Sequence, residues 1–222
     1  MHDAAYYIQL LLSGVTVGSL YALIAIGYTM VYGILRLINF AHGDIFMMAG
    51  FFMVYMSASM PLAVSIPLVL ILTTILGVVI EKAAYSPLRT APRMSVMISA
   101  IGVSYLLENT ATYVTGGQPM TYPTIGILNK TIDIVGTSTK LVVIITPILV
   151  LVLIVLLTQL INHTKIGMAM RAVSKDFETA RLMGIKINNV ISMTFVIGSA
   201  LAVVGSILYF TTYPAITPTA GA

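Results

Sequence analysis

Three groups of residues in this chain could do chemistry, and each lies in or between long apolar runs. The first is Asn39-Phe40-Ala41-His42-Gly43-Asp44, which sets an imidazole and a carboxylate in hydrophobic surroundings. Ionisable groups there are costly unless they face a cavity, a partner or an interface. The second is Glu108, beside Asn109, in a run that otherwise reads as a membrane span; a carboxylate there is what a proton relay would use. The third is the polar stretch 162–188, which holds Lys165, Arg171, Lys175, Arg181 and Lys186 between two uninterrupted apolar runs. One His and one Asp at the 39–44 spacing form no recognisable metal site. The 14 methionines read as lipid- and core-facing filler.

The elements that must position these groups are membrane helices. Of 222 residues, 59% are hydrophobic and 8% charged, against roughly 25% charged in soluble domains. Apolar stretches of about 20 residues, enough to cross the hydrocarbon core, recur along the chain. The fold class is therefore all-α, a polytopic helical membrane protein with about six spans. We place them at 6–35, 37–58, 62–80, 94–115, 141–161 and 190–210, in one transmembrane domain over 1–222. In such a chain the net charge of +4 marks membrane sidedness and gives no nucleic-acid signal. With no cysteine, disulfides and thiol chemistry are excluded. The N-terminus has no basic region before its apolar run, so it reads as a retained first span.

Charge supports this layout. With the N-terminus outside, Arg36, the 81–93 loop and the 162–188 loop fall inside and hold nine of the eleven Lys and Arg residues, leaving Lys130 and Lys140 outside. That asymmetry is the positive-inside pattern; a re-entrant segment within 37–80 is what would reverse it. Tryptophan is absent, so tyrosine must form the interfacial belts: Tyr6, Tyr7, Tyr113, Tyr122, Tyr209 and Tyr213 near outer ends, Tyr32 and Tyr85 near inner ones. The segment 116–140, with Gly116, Gly117, Pro119, Pro123 and Gly126, reads as a turn-rich external loop with short extended pieces.

Within 162–188, Val173, Phe177, Ala180 and Gly184 fall on one helical face. Ser174 or Asp176 can cap a helix over 174–184, Asp176 and Glu178 suit the positive end of its dipole and Arg181 the negative end, and Gly184 suits a C′ position with φ above zero. One reading is a helix lying on the anionic leaflet through its Lys and Arg. The other is a helix that docks into a cytoplasmic partner with Phe177 and Ala180 on the docking face. For 39–44 the favoured reading is a structural turn near the inner surface. There Gly43 frees the backbone, Asp44 caps the next helix and His42 bonds a backbone carbonyl; a pathway or gate element with unwound backbone is the alternative. Glu108 reads as a residue about 10 Å below the outer boundary, or bonded to a neighbouring helix. Gly14 and Gly18 form a small-xxx-small pair expected to pack within the molecule.

Glu178-Thr179-Ala180, three residues, then Gly184 resembles the Glu-Ala-Ala-x3-Gly cytoplasmic motif of bacterial ABC-importer permeases, with Thr179 departing from the usual Ala. Tyr32–Asp44, containing Asn-Phe-Ala-His-Gly, together with Thr164–Ala172, Ile101–Ser104 and Met183–Ile185, is similar to the shorter permease subunit of branched-chain amino acid uptake systems. The resemblance spans roughly 14–210. It implies a second permease subunit, two ATP-binding cassette subunits, an extracytoplasmic solute-binding protein and surrounding lipid as partners. It implies location in a bacterial or archaeal cytoplasmic membrane, and transport of leucine, isoleucine, valine or a related solute. Arg171, Asp176, Phe177, Glu178, Ala180 and Gly184 are then the coupling residues; Asn39, His42, Gly43, Asp44 and Glu108 are the pathway or gate residues. The chain contains no Gly-x4-Gly-Lys-Ser/Thr phosphate loop, so it is expected to be no enzyme and to hold no cofactor, with ATP and Mg bound by partners. An ion-coupled secondary transporter or channel, using Asp44 and Glu108, is the reading from another class. Because permeases of this kind continue through further spans, the ending Tyr213–Ala222 is expected to be a C-terminal truncation.

The cysteine-free background allows a direct test of sidedness. A cysteine at Lys130 should react with an impermeant thiol reagent added outside, and one at Lys165 should not; labelling of both from one side would overturn the layout.

Overall fold

The computed structural model describes residues 2–36, 38–89, 91–126, 128–134 and 137–221. Its long helices are α1 (His2–Leu35), α2 (Ala41–Ser59), α3 (Leu62–Ile80), α4 (Arg93–Thr115), α5 (Leu141–His163) and α8 (Ile187–Thr212); the short α6 (Lys165–Lys175) and α7 (Phe177–Leu182) join α5 to α8. These six long helices match the expected spans to within a few residues. Leu37, the expected start of the second span, lies outside the described residues.

Four of the six, α1, α3, α5 and α8, are long and apolar enough to cross a membrane. The other two have span length but carry the polar groups: His42 and Asp44 on α2, Ser104 and Glu108 on α4. At ~1.5 Å per residue even the 19-residue α2 is about 28 Å long.

The bundle is organised around α8, which packs on α1, α2 and α3. It buries Ile191, Phe195, Ala202, Val203 and Phe210 against Ile45, Met47, Phe51 and Met53 of α2 and Leu20, Leu23 and Val31 of α1. By contrast α5 buries only Val142, Thr146 and Val150, a single stripe at helical spacing. Its other apolar side chains, like Ile75 and Val79 of α3, point outward, as expected where the solvent is lipid. Gly14 and Gly18 also face outward with nothing near them, so this pair does not serve packing within the chain, contrary to expectation.

One end of the bundle carries α6, α7 and the turn after α3; the other carries the segment between α4 and α5. In the latter, β2 (Thr131–Ile134) pairs antiparallel with β3 (Thr137–Lys140), and β1 (Met120–Thr121) pairs with β4 (Ala215–Ile216). That second pairing draws the chain after α8 back over α2, where Ile216 and Phe210 crowd Gly50. Tyr122 is fully buried against Phe210, so it forms no part of an interfacial belt; burial also raises its hydroxyl pKa. Tyr85 is buried too, whereas Tyr6, Tyr7, Tyr32, Tyr113 and Tyr213 are exposed as a belt requires.

Beyond Ile80, α3 widens into a π turn over Glu81–Tyr85, where the Glu81 N–H is shared between the Gly77 and Val78 carbonyls. The turn buries Glu81, which pairs with Arg89 and accepts from the Ser192 hydroxyl at 2.9 Å; Arg89 also donates to Asn188. A buried carboxylate without such partners would be strongly destabilising, and this cluster fastens the end of α3 to the first turns of α8.

At Gly77 α3 and α8 approach closely: a Cβ there would overlap the Ser199 hydroxyl and lie 3.0 Å from the Ser199 Cβ. Gly77→Val should cost about 1–3 kcal/mol of stability through overpacking, read as a lower melting temperature in detergent. The swap Gly77→Ala with Ser199→Gly should recover most of the loss that Gly77→Ala causes alone; no recovery would show that the crossing is not set by these two residues.

Candidate transport site and coupling loop

The segment between α1 and α2 is the main irregularity of the bundle. Arg36 ends α1 in the left-handed region with φ 53, unusual for a residue with a side chain, while its N–H still bonds the Tyr32 carbonyl at 2.7 Å. The chain then turns back into the bundle. Asn39 is buried, and its side-chain oxygen accepts from the Tyr85 hydroxyl at 2.6 Å. The Asn39 carbonyl takes the His42 N–H at 3.2 Å as α2 begins.

His42 packs beneath Gly27, where a Cβ would come within 2.7 Å of its Nε2, and beside Gly198. Gly27 lies about 12 Å up α1 from Leu35, and Gly198 about 16 Å up α8 from Ile187. The 39–44 cluster is therefore deep in the bundle, and the expected turn at the inner surface is incorrect. A helical hydrophobic pattern cannot reveal that α2 starts about 12–16 Å in from the ends of α1 and α8. The other expectations for this cluster change with it. His42 Nε2 bonds no carbonyl or other described group, and Asp44 does not cap α2, because it sits inside the first turn with both carboxylate oxygens unpartnered among the described residues. Gly43 is helical rather than a turn, and its missing side chain makes room for the Gly221 carbonyl.

Asp44 faces Ser104 and Glu108 of α4. Glu108 makes no side-chain bond to a neighbouring helix among the described residues; about 10 Å from the end of α4, it lines a cavity of about 610 Å³ with His42, Gly43 and Ser104. Three of the pathway residues singled out from the sequence meet there: His42, Gly43 and Glu108 line the cavity and Asp44 adjoins it. Asn39 does not, being engaged by Tyr85. Sequence reasoning missed Ser104, although its place one turn before Glu108 puts both on one helix face. Among the described residues no group of three or more His, Cys, Asp or Glu gathers in metal-binding geometry.

The coupling loop holds two helices where one was expected. Thr164 caps α6, accepting from the Gly167 N–H at 3.1 Å, and Asp176 caps α7, accepting from the Glu178 N–H at 2.9 Å. Bonds from the Thr179 hydroxyl and the Glu178 N–H hold the Asp176 carboxyl below its ordinary range. A depressed carboxyl pKa means the cap is intact above the ordinary range and weakens only as pH falls through the lowered value. At the other end the Ile185 N–H reaches the Ala180 carbonyl and the Gly184 N–H the Arg181 carbonyl, a Schellman ending with Gly184 at φ +82.

The apolar face read from the sequence exists but points the other way. Val173 and Ala180 are buried and Phe177 half-buried against the bundle core, so Phe177 and Ala180 hold the loop down and do not form its docking face. The outward apolar residues are Leu182 and Met183, 88% and 78% exposed at the Schellman turn. They lie off the Val173–Ala180 face that the helical pattern picked out. Arg171 is exposed and ties α6 to the end of α5 by donating to the Asn162 carbonyl and side chain, and Glu178 is exposed. Arg36, which entered the sequence reading only as a sidedness marker, donates to the Ser174 and Lys175 carbonyls at 2.9 and 3.1 Å. It thereby caps α6 with a positive charge at the negative end of the dipole.

A bundle of lipid-facing helices, a break between α1 and α2 beside a polar cavity and a structured loop at one end together define a membrane transport protein. The sequence profile of the family described as branched-chain amino acid transport system, permease component, matches residues 10–222, and the chain belongs to that family. It is 39% identical over 238 residues to the high-affinity branched-chain amino acid transport system permease protein BraD of Pseudomonas aeruginosa, covering 100% of this chain and 76% of the relative. To the LivH proteins of Salmonella typhimurium and Escherichia coli K12 it is 37% and 35% identical, covering 97% of this chain and 74% of each relative. These relatives are transport permeases and not enzymes. No solved structure matches significantly.

Gly184→Val should disorder the α7 ending, since a side chain at φ +82 costs about 1–2 kcal/mol. Hydrogen exchange at Ile185 and Gly184 should rise while the protein remains in the membrane. Unchanged protection at both amides would remove the conformational requirement for glycine.

Proposed function

We propose that this chain is the membrane-spanning permease subunit of an ATP-driven importer for branched-chain amino acids or a related small solute. In this reading it crosses a bacterial or archaeal cytoplasmic membrane several times with its N-terminus outside, an orientation supported by the placement of nine of eleven basic residues. Family membership and the names of the relatives support the solute class, and they weigh against the ion-coupled secondary transporter or channel.

The partners are a second permease, two ATP-binding cassette subunits that bind ATP and Mg, and an extracytoplasmic solute-binding protein. The observation that carries the coupling role is the Leu182–Met183 tip, two large apolar side chains exposed on a capped, rigid turn. Apolar anchors of this kind fill a partner's pocket. Movement of the ATPases would be transmitted through α7 and α6 to Arg36, and from there to the broken start of α2. Asp176, Arg171 and Gly184 keep the shape of that lever, while Phe177 and Ala180 seat it on the bundle.

Leu182→Asp with Met183→Asp should leave the bundle intact, because both side chains are almost fully exposed. Co-purification of the ATPase should weaken by about thirtyfold, the loss of roughly 2 kcal/mol expected of an interface anchor, and ATP-driven leucine uptake in vesicles should fall with it. Normal uptake by the double variant would remove the tip from the coupling path.

A further inference from the structure

The cavity beside α2 has a chemistry that the family assignment does not specify. It lies between α1, α2, α4 and the returning segment, with Thr219 and Gly221 on its rim. Most of its wall is apolar or aromatic, with Ile24, Phe40, Ile101 and Tyr105 among the lining residues. Among the described residues no Lys or Arg lines it. Two carboxylates instead converge there: Glu108 on the wall, and Asp44, fully buried, facing Glu108 and Ser104.

Asp44 has only the Ser104 hydroxyl as a side-chain hydrogen-bonding neighbour, too poorly aligned to count as a regular hydrogen bond, and Nε2 of the buried His42 on the cavity wall has no partner among the described residues. Buried polar atoms are ordinarily satisfied, and a buried charge ordinarily has a counter-charge. A site with unsatisfied acceptors, a net negative lining and apolar walls is complementary to a ligand with one cationic donor head and a hydrocarbon body. Its place agrees, since substrate sites of transporters lie beside discontinuous helices, and α2 begins here.

We propose that this cavity binds a small apolar solute through its primary ammonium group, with Glu108 and Asp44 as the counter-charge and Ser104 as an adjacent acceptor. Which solute reaches it in the cell rests on the importer reading above; the charge preference of the site does not. An ammonium offers three donors, enough to engage both carboxylates and Ser104 at once. A solute lacking the amine would leave Asp44 and Glu108 facing each other uncompensated. The apolar wall would then favour branched aliphatic bodies over polar ones.

The absence of cysteine gives the site its own probe. Ser104→Cys, in the assembled complex in membrane vesicles, places a single thiol in the cavity, with Tyr105→Cys as the second position should the first not accumulate. Its rates with cationic 2-aminoethyl methanethiosulfonate and anionic 2-sulfonatoethyl methanethiosulfonate are each normalised to a free thiol. The cationic reagent should be favoured by at least about tenfold, as expected of a cleft lined by one sign of charge. Adding Glu108→Gln should shrink that preference to about twofold or less. Isoamylamine should slow the labelling and isocaproate, which carries a carboxylate in place of the amine on the same branched body, should not. Equal rates for the two reagents, or a preference that survives Glu108→Gln combined with Asp44→Asn, would overturn the proposal, as would protection by isocaproate equal to that by isoamylamine. In transport, Glu108→Gln should lower leucine uptake by about tenfold while ATP hydrolysis continues. A charge preference at Ser104→Cys, found together with a cysteine-free parent complex that moves no branched-chain amino acid, would overturn the importer reading and leave the ammonium site supported.

Discussion

Inside a bilayer the backbone has no water to bond, so a break in a helix is tolerated only where protein or a polar cavity takes over the freed groups. The break between α1 and α2 is where this chain meets that constraint, and much of the rest follows from how it is met. Asn39 is buried and held by the Tyr85 hydroxyl. Tyr85 reaches it because α3 widens into a π turn at Glu81–Tyr85, and Phe195 of α8 packs against the same ring. The small residues Gly27 and Gly198 let α1 and α8 close around His42. The cavity exists because α2 starts so deep.

Arg36 joins this break to the loop at the end of the bundle. Its backbone supplies the turn that ends α1, and its guanidinium holds the last carbonyls of α6 immediately before the Asp176 cap of α7. Two residues separate it from Asn39. The loop and the polar cavity are thus connected through one side chain and the short stretch of chain that follows it.

Much of this was legible in the sequence, for identifiable reasons. Lipid imposes long apolar runs, so the six long helices could be placed from composition alone, and local chemistry fixed the Asp176 cap and the positive φ of Gly184 because both depend on neighbours within a turn. What failed depends on contacts distant in sequence. The pattern Val173–Phe177–Ala180 showed an apolar face but not which body it faces, and the bundle claims it. Asp44 and Glu108 lie 64 positions apart and come together only because α2 begins partway up the bundle. Gly14 and Gly18 have the spacing of a packing motif, yet none of the described residues packs on them.

The two sets of charges at the loop end differ in how they respond to ionic strength. Arg171, Lys175, Glu178, Arg181 and Lys186 are exposed, and exposed charges lose their influence beyond about 8 Å at physiological salt and about 3 Å at 1 M. Glu81 is fully buried with Arg89 against it, and a pair so shielded is barely touched by mobile ions. Concentrated salt would therefore act on whatever the loop charges attract long before it loosened the join between α3 and α8. The subunit could in this way be stripped of electrostatically bound neighbours while its own helices stay assembled.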